Sequence, residues 1–358
     1  MITPELLIIG AGPAGLCAAI EAGLTGVDVL VVERSHAPGG QLVKQTHRFF
    51  GSKEQYAATR GFDISDILLE KLENMKNVRI LTNTTALGAY DDGVWTVDIG
   101  GKYEKVLPKA VVCATGAGEK TIPFPGNDLP GIYGAGAVQT LMNQYGVSPA
   151  DNVVMLGAGN IGLIVSYQLI QAGVNVLAVV EGAPHIGGYL VHASKLRRLG
   201  VPIYTSHSVK AAHGTDNLEA VTIWELDSNW QGKPETRRTI KADALCVAVG
   251  LSPLTELLWQ AGVSMVFVPA LGGHVPHRNA DLQTSVKNIF IAGDAAGVEE
   301  ASSAMVEGYL AGLSAAAYLG KKPGRFEEKK IELQAQLDGL RGGHSGEKLR
   351  AGLEKAML

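Results

Sequence analysis

Two stretches of the chain carry the same order of apolar and polar positions. LLIIGAGPAGLCAAIEAGLTGVDVLVVE (Leu6–Glu33) and VVMLGAGNIGLIVSYQLIQAGVNVLAVVE (Val153–Glu181) each open on a short apolar run and pass a G-A-G-x-x-G turn. Each then continues as a longer apolar stretch, reaches a Gly-Val pair (Gly26-Val27, Gly173-Val174) and closes in a second Val-rich run. Short apolar runs bounded by turn residues read as buried strands and the longer stretch between them as a helix, so each predicts a βαβ unit. The segments downstream of each unit repeat as well. After the first unit come a helical stretch (Asp66–Met75), period-2 runs around Gly93–Val97, and VVCATG (Val111–Gly116). After the second come a helical stretch (Val191–Leu199), VTIWEL (Val221–Leu226), a polar turn near Asn229–Pro234, a strand ending at Ile240, and LCVAVG (Leu245–Gly250). Alternation with turn signals predicts small antiparallel meanders. The remainder predicts a buried strand in NIFIAGDAAG (Asn288–Gly297), an Ala-rich helix from Glu300 to about Leu319, and a charged helical tail over 321–358 interrupted at Gly342-Gly343. The fold class expected is α/β, with two Rossmann-like units.

Composition narrows the picture. At ~150 residues per domain, 358 residues suggest two or three domains, and 46% hydrophobic residues supply their cores. A net charge of −4 advertises no basic face for nucleic acid. Three cysteines (Cys17, Cys113, Cys246), far apart, exclude a disulfide-stapled scaffold and every CxxC redox or zinc signature. Leu6–Ile20 lacks the basic flank of an export signal, and Asn152–Val180 holds Asn160, Ser166, Gln168, Gln171 and Asn175, so neither reads as a membrane segment. A cytoplasmic location is expected.

The glycines carry the chemistry. In Gly10-Ala11-Gly12-Pro13-Ala14-Gly15 the first glycine makes the turn off the strand, the second lets a pyrophosphate approach the backbone, and the third lets helix and strand pack closely. The helix N-terminus offers free N–H groups and partial positive charge to the phosphates. Glu33 ends the second strand where a ribose-binding acid belongs. The second copy, Gly157-Ala158-Gly159-Asn160-Ile161-Gly162, is equally well formed, but its acid, Glu181, comes one residue late. A one-residue slip along a strand reverses side-chain direction, so Glu181 reaches a ribose only if it lies just past the strand end. Gly182-Ala183-Pro184 supplies no cation for a 2′-phosphate, which favours NAD(H) over NADP(H).

The two units, with GGQ (Gly39–Gln41), ATG (Ala114–Gly116) and GD (Gly293-Asp294), resemble the two-dinucleotide-binding-domain flavoproteins of the pyridine nucleotide–disulfide oxidoreductase superfamily, in its short thioredoxin-reductase-like branch. The resemblance spans about Ile2 to Leu319. It implies two three-layer ββα dinucleotide-binding domains: a discontinuous FAD domain (1–117 and 244–320), an NAD(P)-binding-like domain (118–243) and a helical tail (321–358). Gly10, Gly12, Pro13, Ala14, Gly15, Glu33 and Arg34 would then contact the ADP part of FAD. Gly40 and Gln41 would lie along the pyrophosphate and ribitol, Thr115 and Gly116 by the adenine, and Gly293-Asp294 at the ribitol. Ala301 would open the helix facing the flavin pyrimidine, with Glu299 and Glu300 as acids complementing the helix dipole. Gly157, Gly159, Asn160, Ile161, Gly162, Glu181 and Gly250 would frame the NAD(H) site.

The departure from that family is chemical: with no CxxC, a flavin here has no dithiol to reduce. The three cysteines read as packed core residues. GGQLVKQTHRFFGS (Gly39–Ser52) and AVVEGAPHIGGYLVHASKLRRLGVPIYTSH (Ala178–His207) resemble a narrower group, the flavoprotein subunits of opine oxidase, hydrogen cyanide synthase, sarcosine oxidase (alpha) and dye-linked proline dehydrogenases. That resemblance implies electron transfer to or from a partner flavoprotein dehydrogenase subunit, with a small iron–sulfur protein as a further partner and a hetero- or homo-oligomeric assembly. Lys44, Thr46 and His47 follow the GGQ turn and are candidates for tuning the flavin. A stand-alone NAD(P)H-dependent ferredoxin or quinone reductase, or a nucleotide-binding structural subunit, are the other readings. No Ser-His-Asp, HExxH or Walker pattern supports a hydrolase, and His185, His192 and His207 read as surface or packing residues.

Overall fold

A computed structural model of the chain describes residues 1–358, except the side chain of Ser345. The chain divides into two units, Met1–Gly118 with Ser252–Leu358, and Glu119–Leu251.

The first unit is built on a five-stranded parallel sheet. Its order is Ile289–Ile291, Ala110–Cys113, Leu6–Ile9, Val29–Val32 and Val78–Leu81. Every residue of the three central strands is buried, which explains their continuous apolar runs: a parallel sheet covered on both faces has no polar side. The fingerprint helix Pro13–Leu24 packs along the helix Ala301–Tyr318. A Cβ on Gly308 would stand 2.2 Å from the Ala14 carbonyl oxygen, and one on Gly312 2.4 Å from that of Ala18. Those two glycines, four residues apart and hence on one helix face, bring the backbones together. The helix Gly61–Glu73 and an antiparallel meander (Thr84–Ala89, Trp95–Ile99, Lys102–Val106) complete the repeat element.

The second unit has the same plan. Its parallel sheet runs Ile203–Tyr204, Asn175–Val180, Asn152–Leu156, Ala244–Val247 and Ile132–Gly134. One apolar cluster lies under the helices Ala135–Tyr145, Asn160–Gln171 and Leu190–Arg198, and another under the meander His207–His213, Ala220–Glu225 and Arg238–Lys241. Here the expected boundary shifts. The chain returns to the first unit at Ser252, not at 244, because Ala244–Val247 is the second sheet's own closing strand, in register with Val153–Leu156.

Residues 321–358 fold as helices Phe326–Leu340 and Glu347–Lys355, broken across Gly342-Gly343 as the sequence predicts. They are not a separate tail. Phe326, Leu333 and Leu337 enter the first unit's core. Among the described residues, no helix is long and apolar enough to cross a membrane.

Candidate functional site

Each unit holds a glycine turn braced by a carboxylate, and the two braces match atom for atom. In the first, Glu33 Oε2 accepts from the Ala11 amide at 2.8 Å and Oε1 from the Ser35 amide at 2.8 Å. In the second, Glu181 Oε2 accepts from the Ala158 amide at 2.7 Å and Oε1 from the Ala183 amide at 2.9 Å. Each acid thus ties its glycine turn to the loop leaving the second strand. A carboxylate has about four lone-pair sites, so each keeps capacity for a ligand hydroxyl.

The late arrival of Glu181 is resolved within the strand. Pairing runs Val153 with Val176, then Val154 with Ala178, so Leu177 is an extra residue taken up by a bulge-like shift. From there the ladder ends with Leu156 opposite Val180, just as Ile9 stands opposite Val32. Glu181 therefore follows its strand end as Glu33 does.

The glycines divide into two kinds. Gly10 and Gly157 adopt φ of +102° and +110°, and Cβ atoms on Gly15 and Gly162 would fall 1.8 and 2.1 Å from the carbonyl oxygens of Gly10 and Gly157. These four are required by the fold. Gly12 and Gly159 are not: their backbones are extended (φ −76° and −72°). A Cβ on Gly12 would come no closer than 3.9 Å to any atom, and one on Gly159 would meet nothing within 4 Å. The protein itself leaves room for a side chain at both positions. Glycine there suits an anion lying against the backbone at a helix N-terminus, as a bound pyrophosphate would.

Around the first turn, the Gly39 amide donates to the Ala11 carbonyl at 2.7 Å, and Gly40 lies against Gly12, where a Cβ would approach the Gly12 Cα to 2.7 Å. Gln41 and Arg34 are exposed. The second unit has a matching pair that sequence reasoning misses. Gly187 and Gly188 amides donate to the Ala158 carbonyl at 3.1 and 2.9 Å. A signal for it exists: Gly39 and Gly187 each stand six residues beyond their acid. Asn160 Oδ1 accepts from the Tyr189 amide at 2.8 Å, and Ile161 is exposed beside it. Thr115 donates from Oγ1 to the Leu254 carbonyl at 2.6 Å, and Gly116 and Gly250 close their strands at φ +74° and +116°. Lys44 ends a short 3₁₀ turn from Gly40, with Thr46 and His47 half-buried just beyond and the His47 ring stacked on Phe49 at 5.8 Å.

Gly293 and Asp294 open a charged cluster below Ala301, the first residue of the long helix. Burial raises the Asp294 carboxyl from 3.8 to about 6, assisted by the charges of Glu307, Glu299 and Glu300 and opposed by the Glu299 amide. Glu299, expected as an acid complementing the helix dipole, is also buried and paired with a cation. Its carboxylate accepts from Arg341 Nε at 2.9 Å and Nη2 at 2.7 Å, while the same Nη2 reaches Glu307 Oε1 at 2.5 Å. Glu307 Oε2 in turn accepts from the Gly293 amide at 2.8 Å. Burial and the Glu307 charge push the Glu299 carboxyl up despite Arg341. Nothing local in the sequence marks this cluster, since its cation comes from the C-terminal segment, where the pattern shows helices and no chemistry.

The cysteines are buried, Cys17 in the fingerprint helix and Cys113 and Cys246 in the closing strands. Burial pushes each thiol up to about 12, so none is a nucleophile near neutral pH. The described residues contain no grouping of His, Cys, Asp or Glu suited to a metal.

Known proteins share this plan. The chain is 29% identical to an opine oxidase subunit of Agrobacterium tumefaciens over 88% of its length and 66% of that protein's. It is 31% identical to the alpha subunit of sarcosine oxidase from Rhizobium meliloti over 85% of its length but 29% of that protein's. With hydrogen cyanide synthase subunit HcnB of Pseudomonas aeruginosa the identity is 29%, over 86% and 70%. The chain thus spans about two thirds or less of the first two. Among solved structures, L-proline dehydrogenase from P. horikoshii superposes with a TM-score of 0.71 at 25% identity, over 93% of this chain and 59% of that one. T. acidophilum thioredoxin reductase shares the fold, with a TM-score of 0.72 at 19% identity over 88% and 99%. The family profile described as pyridine nucleotide-disulphide oxidoreductase matches residues 4–308. Two braced glycine turns on two parallel sheets and this match agree: the chain belongs to the pyridine nucleotide-disulphide oxidoreductase family, as an FAD-binding oxidoreductase with a pyridine-nucleotide site.

Proposed function

We propose that this chain is the electron-transfer subunit of a multi-subunit amine or hydroxy-acid dehydrogenase, passing electrons between its flavin, NAD(H) or another acceptor and a partner flavoprotein. The observation that carries this reading is the pairing of two braced phosphate turns with three inert, buried cysteines. Relatives of the chain are subunits of oxidases. FAD, when bound, supplies reversible two-electron chemistry at its ring system. The chain's residues hold and orient. Gly12, Pro13 and Ala14 present the helix N-terminus to the pyrophosphate, Glu33 takes the ribose, Asp294 the ribitol hydroxyls, and Ala301 the pyrimidine edge. Arg34, Gly40, Gln41, Thr115 and Gly116 line the same path, and Lys44, Thr46 and His47 shape the loop beyond it. In the second unit Gly159, Asn160 and Ile161 receive the NAD(H) pyrophosphate and Glu181 its ribose, with Gly250 at the strand end.

Anaerobic titration of the flavin-loaded protein with NADH tests this reading. Bleaching of the flavin at near one equivalent is expected, with slow steady-state turnover on quinones and ferredoxin. Rapid turnover with either would make the chain a stand-alone reductase. An unbleached flavin would remove NAD(H) from the scheme and leave only exchange with a partner.

Asp294 adds a pH signature. Hydroxyls donating to its carboxylate favour the ionised form, so binding FAD below about pH 6 releases a proton. Affinity for FAD is therefore expected to rise from pH 5 to pH 7. Asp294→Asn should bind more weakly and show a flat profile, measured by reconstituting apoprotein at each pH.

A further inference from the structure

The two units share a scaffold down to individual hydrogen bonds, which makes one difference between them informative. In the first, Asn83 (φ +48°) accepts from the Gly100 amide at the meander's second hairpin, whose connection is two glycines, Gly100-Gly101. In the second, Ser206 (φ +52°) accepts in the same way from Leu226, but the connection there is residues 226–237. The added loop is ordered by Asp227. Its Oδ1 accepts from the Asn229 and Gln231 amides at 2.8 and 2.9 Å, and its own amide donates to the Gln231 carbonyl at 2.9 Å.

That lock holds Trp230 at φ +62°, a strained conformation for a bulky residue. The indole lies against Gly182, where a Cβ would sit 2.7 Å from its Cζ3, yet the residue stays 63% exposed. Gly182 directly follows Glu181. A backbone chain from Ser206 to the Ala183 carbonyl and from Leu226 to the Ser206 carbonyl ties the loop after the acid to the hairpin bearing the tryptophan. A nucleotide with its phosphates at Gly159 and its ribose at Glu181 would carry its base beyond that acid, toward the outer face of the indole that covers Gly182.

We propose that Trp230 is the stacking platform for the adenine of the dinucleotide held by the second unit. The inference rests on the reading of that unit as an NAD(H) site. An exposed aromatic face held beside a glycine gives a flat surface for a base, and stacking of this kind is worth about tenfold or more in affinity.

The test uses FAD-loaded full-length protein and ADP-ribose, a redox-inert probe, with calorimetry for affinity and tryptophan emission for stacking. Wild type should bind with quenched emission. Trp230→Phe should keep most of the affinity and lose the quench, and Trp230→Ala should bind about tenfold more weakly with an unchanged melting temperature. Equal or tighter binding by Trp230→Ala would overturn the proposal while leaving the NAD(H) site intact, the tighter case marking the indole as an obstruction. A wild-type protein that binds neither ADP-ribose nor NADH would remove the site itself, and the platform with it.

Discussion

Gly12→Ala is expected to yield a folded protein that purifies without its yellow colour. The backbone at Gly12 is extended and a Cβ would meet nothing closer than 3.9 Å, so the chain accommodates alanine. On the proposed placement of FAD, the methyl group instead takes the space where the pyrophosphate would meet the helix N-terminus. Losing one or two hydrogen bonds to a charged ligand costs ~1.5–3 kcal/mol each, or roughly 10- to 10⁴-fold in affinity. Flavin content and reconstitution titrations measure the loss, with circular dichroism confirming the fold. The matched change in the second unit, Gly159→Ala, should spare the flavin and weaken NADH by a similar factor. Gly15→Ala is the structural contrast. Its Cβ would lie 1.8 Å from the Gly10 carbonyl oxygen, so this variant should lose the folded first unit together with its flavin. If Gly12→Ala keeps its flavin at wild-type affinity, the pyrophosphate lies elsewhere.

The second large effect concerns Arg341. Its guanidinium sits between Glu299 and Glu307, with side-chain exposures of 13%, 5% and 3%. Arg341→Met leaves two buried carboxylates without their cation, and breaking a buried pair in this way costs about 3–5 kcal/mol. The deficit should depend on pH with a defined sign. Burial and the Glu307 charge already hold the Glu299 carboxyl above its usual value, so the variant loses most stability at pH 8 and regains part of it toward pH 5 as Glu299 takes up a proton. Adding Glu299→Gln and Glu307→Gln should restore most of the loss at neutral pH. Denaturant melts at pH 5 and 8 check both statements, and a deficit under about 1 kcal/mol at pH 8 would contradict them.

The fold is legible in the sequence where local pattern decides it. The two glycine turns, the helices that follow, the meanders and the Ala-x-Gly closing strands each leave a short-range signature, and the structure places them close to the expected residues. The closing strand Ala244–Val247 is one of these: the repeat itself pairs it with the second βαβ unit, and only the boundary implied by the family resemblance set it in the first. Two features have no such signature. Arg341 joins Glu299 and Glu307 through folding of the last helices, and no spacing rule links those three positions. The equivalence of Glu181 with Glu33 turns on one unpaired residue, Leu177, whose composition is that of its strand. The Gly187-Gly188 turn, by contrast, is readable from its distance to Glu181 and needs only a longer alignment of the repeats.

The unpaired Leu177 has a bearing on how such folds tolerate insertions. A strand that puckers in its middle hides an added residue and delivers both ends unchanged, so separation in space is insulated from separation along the chain. Nucleotide sockets built this way are free to drift in length without drifting in shape.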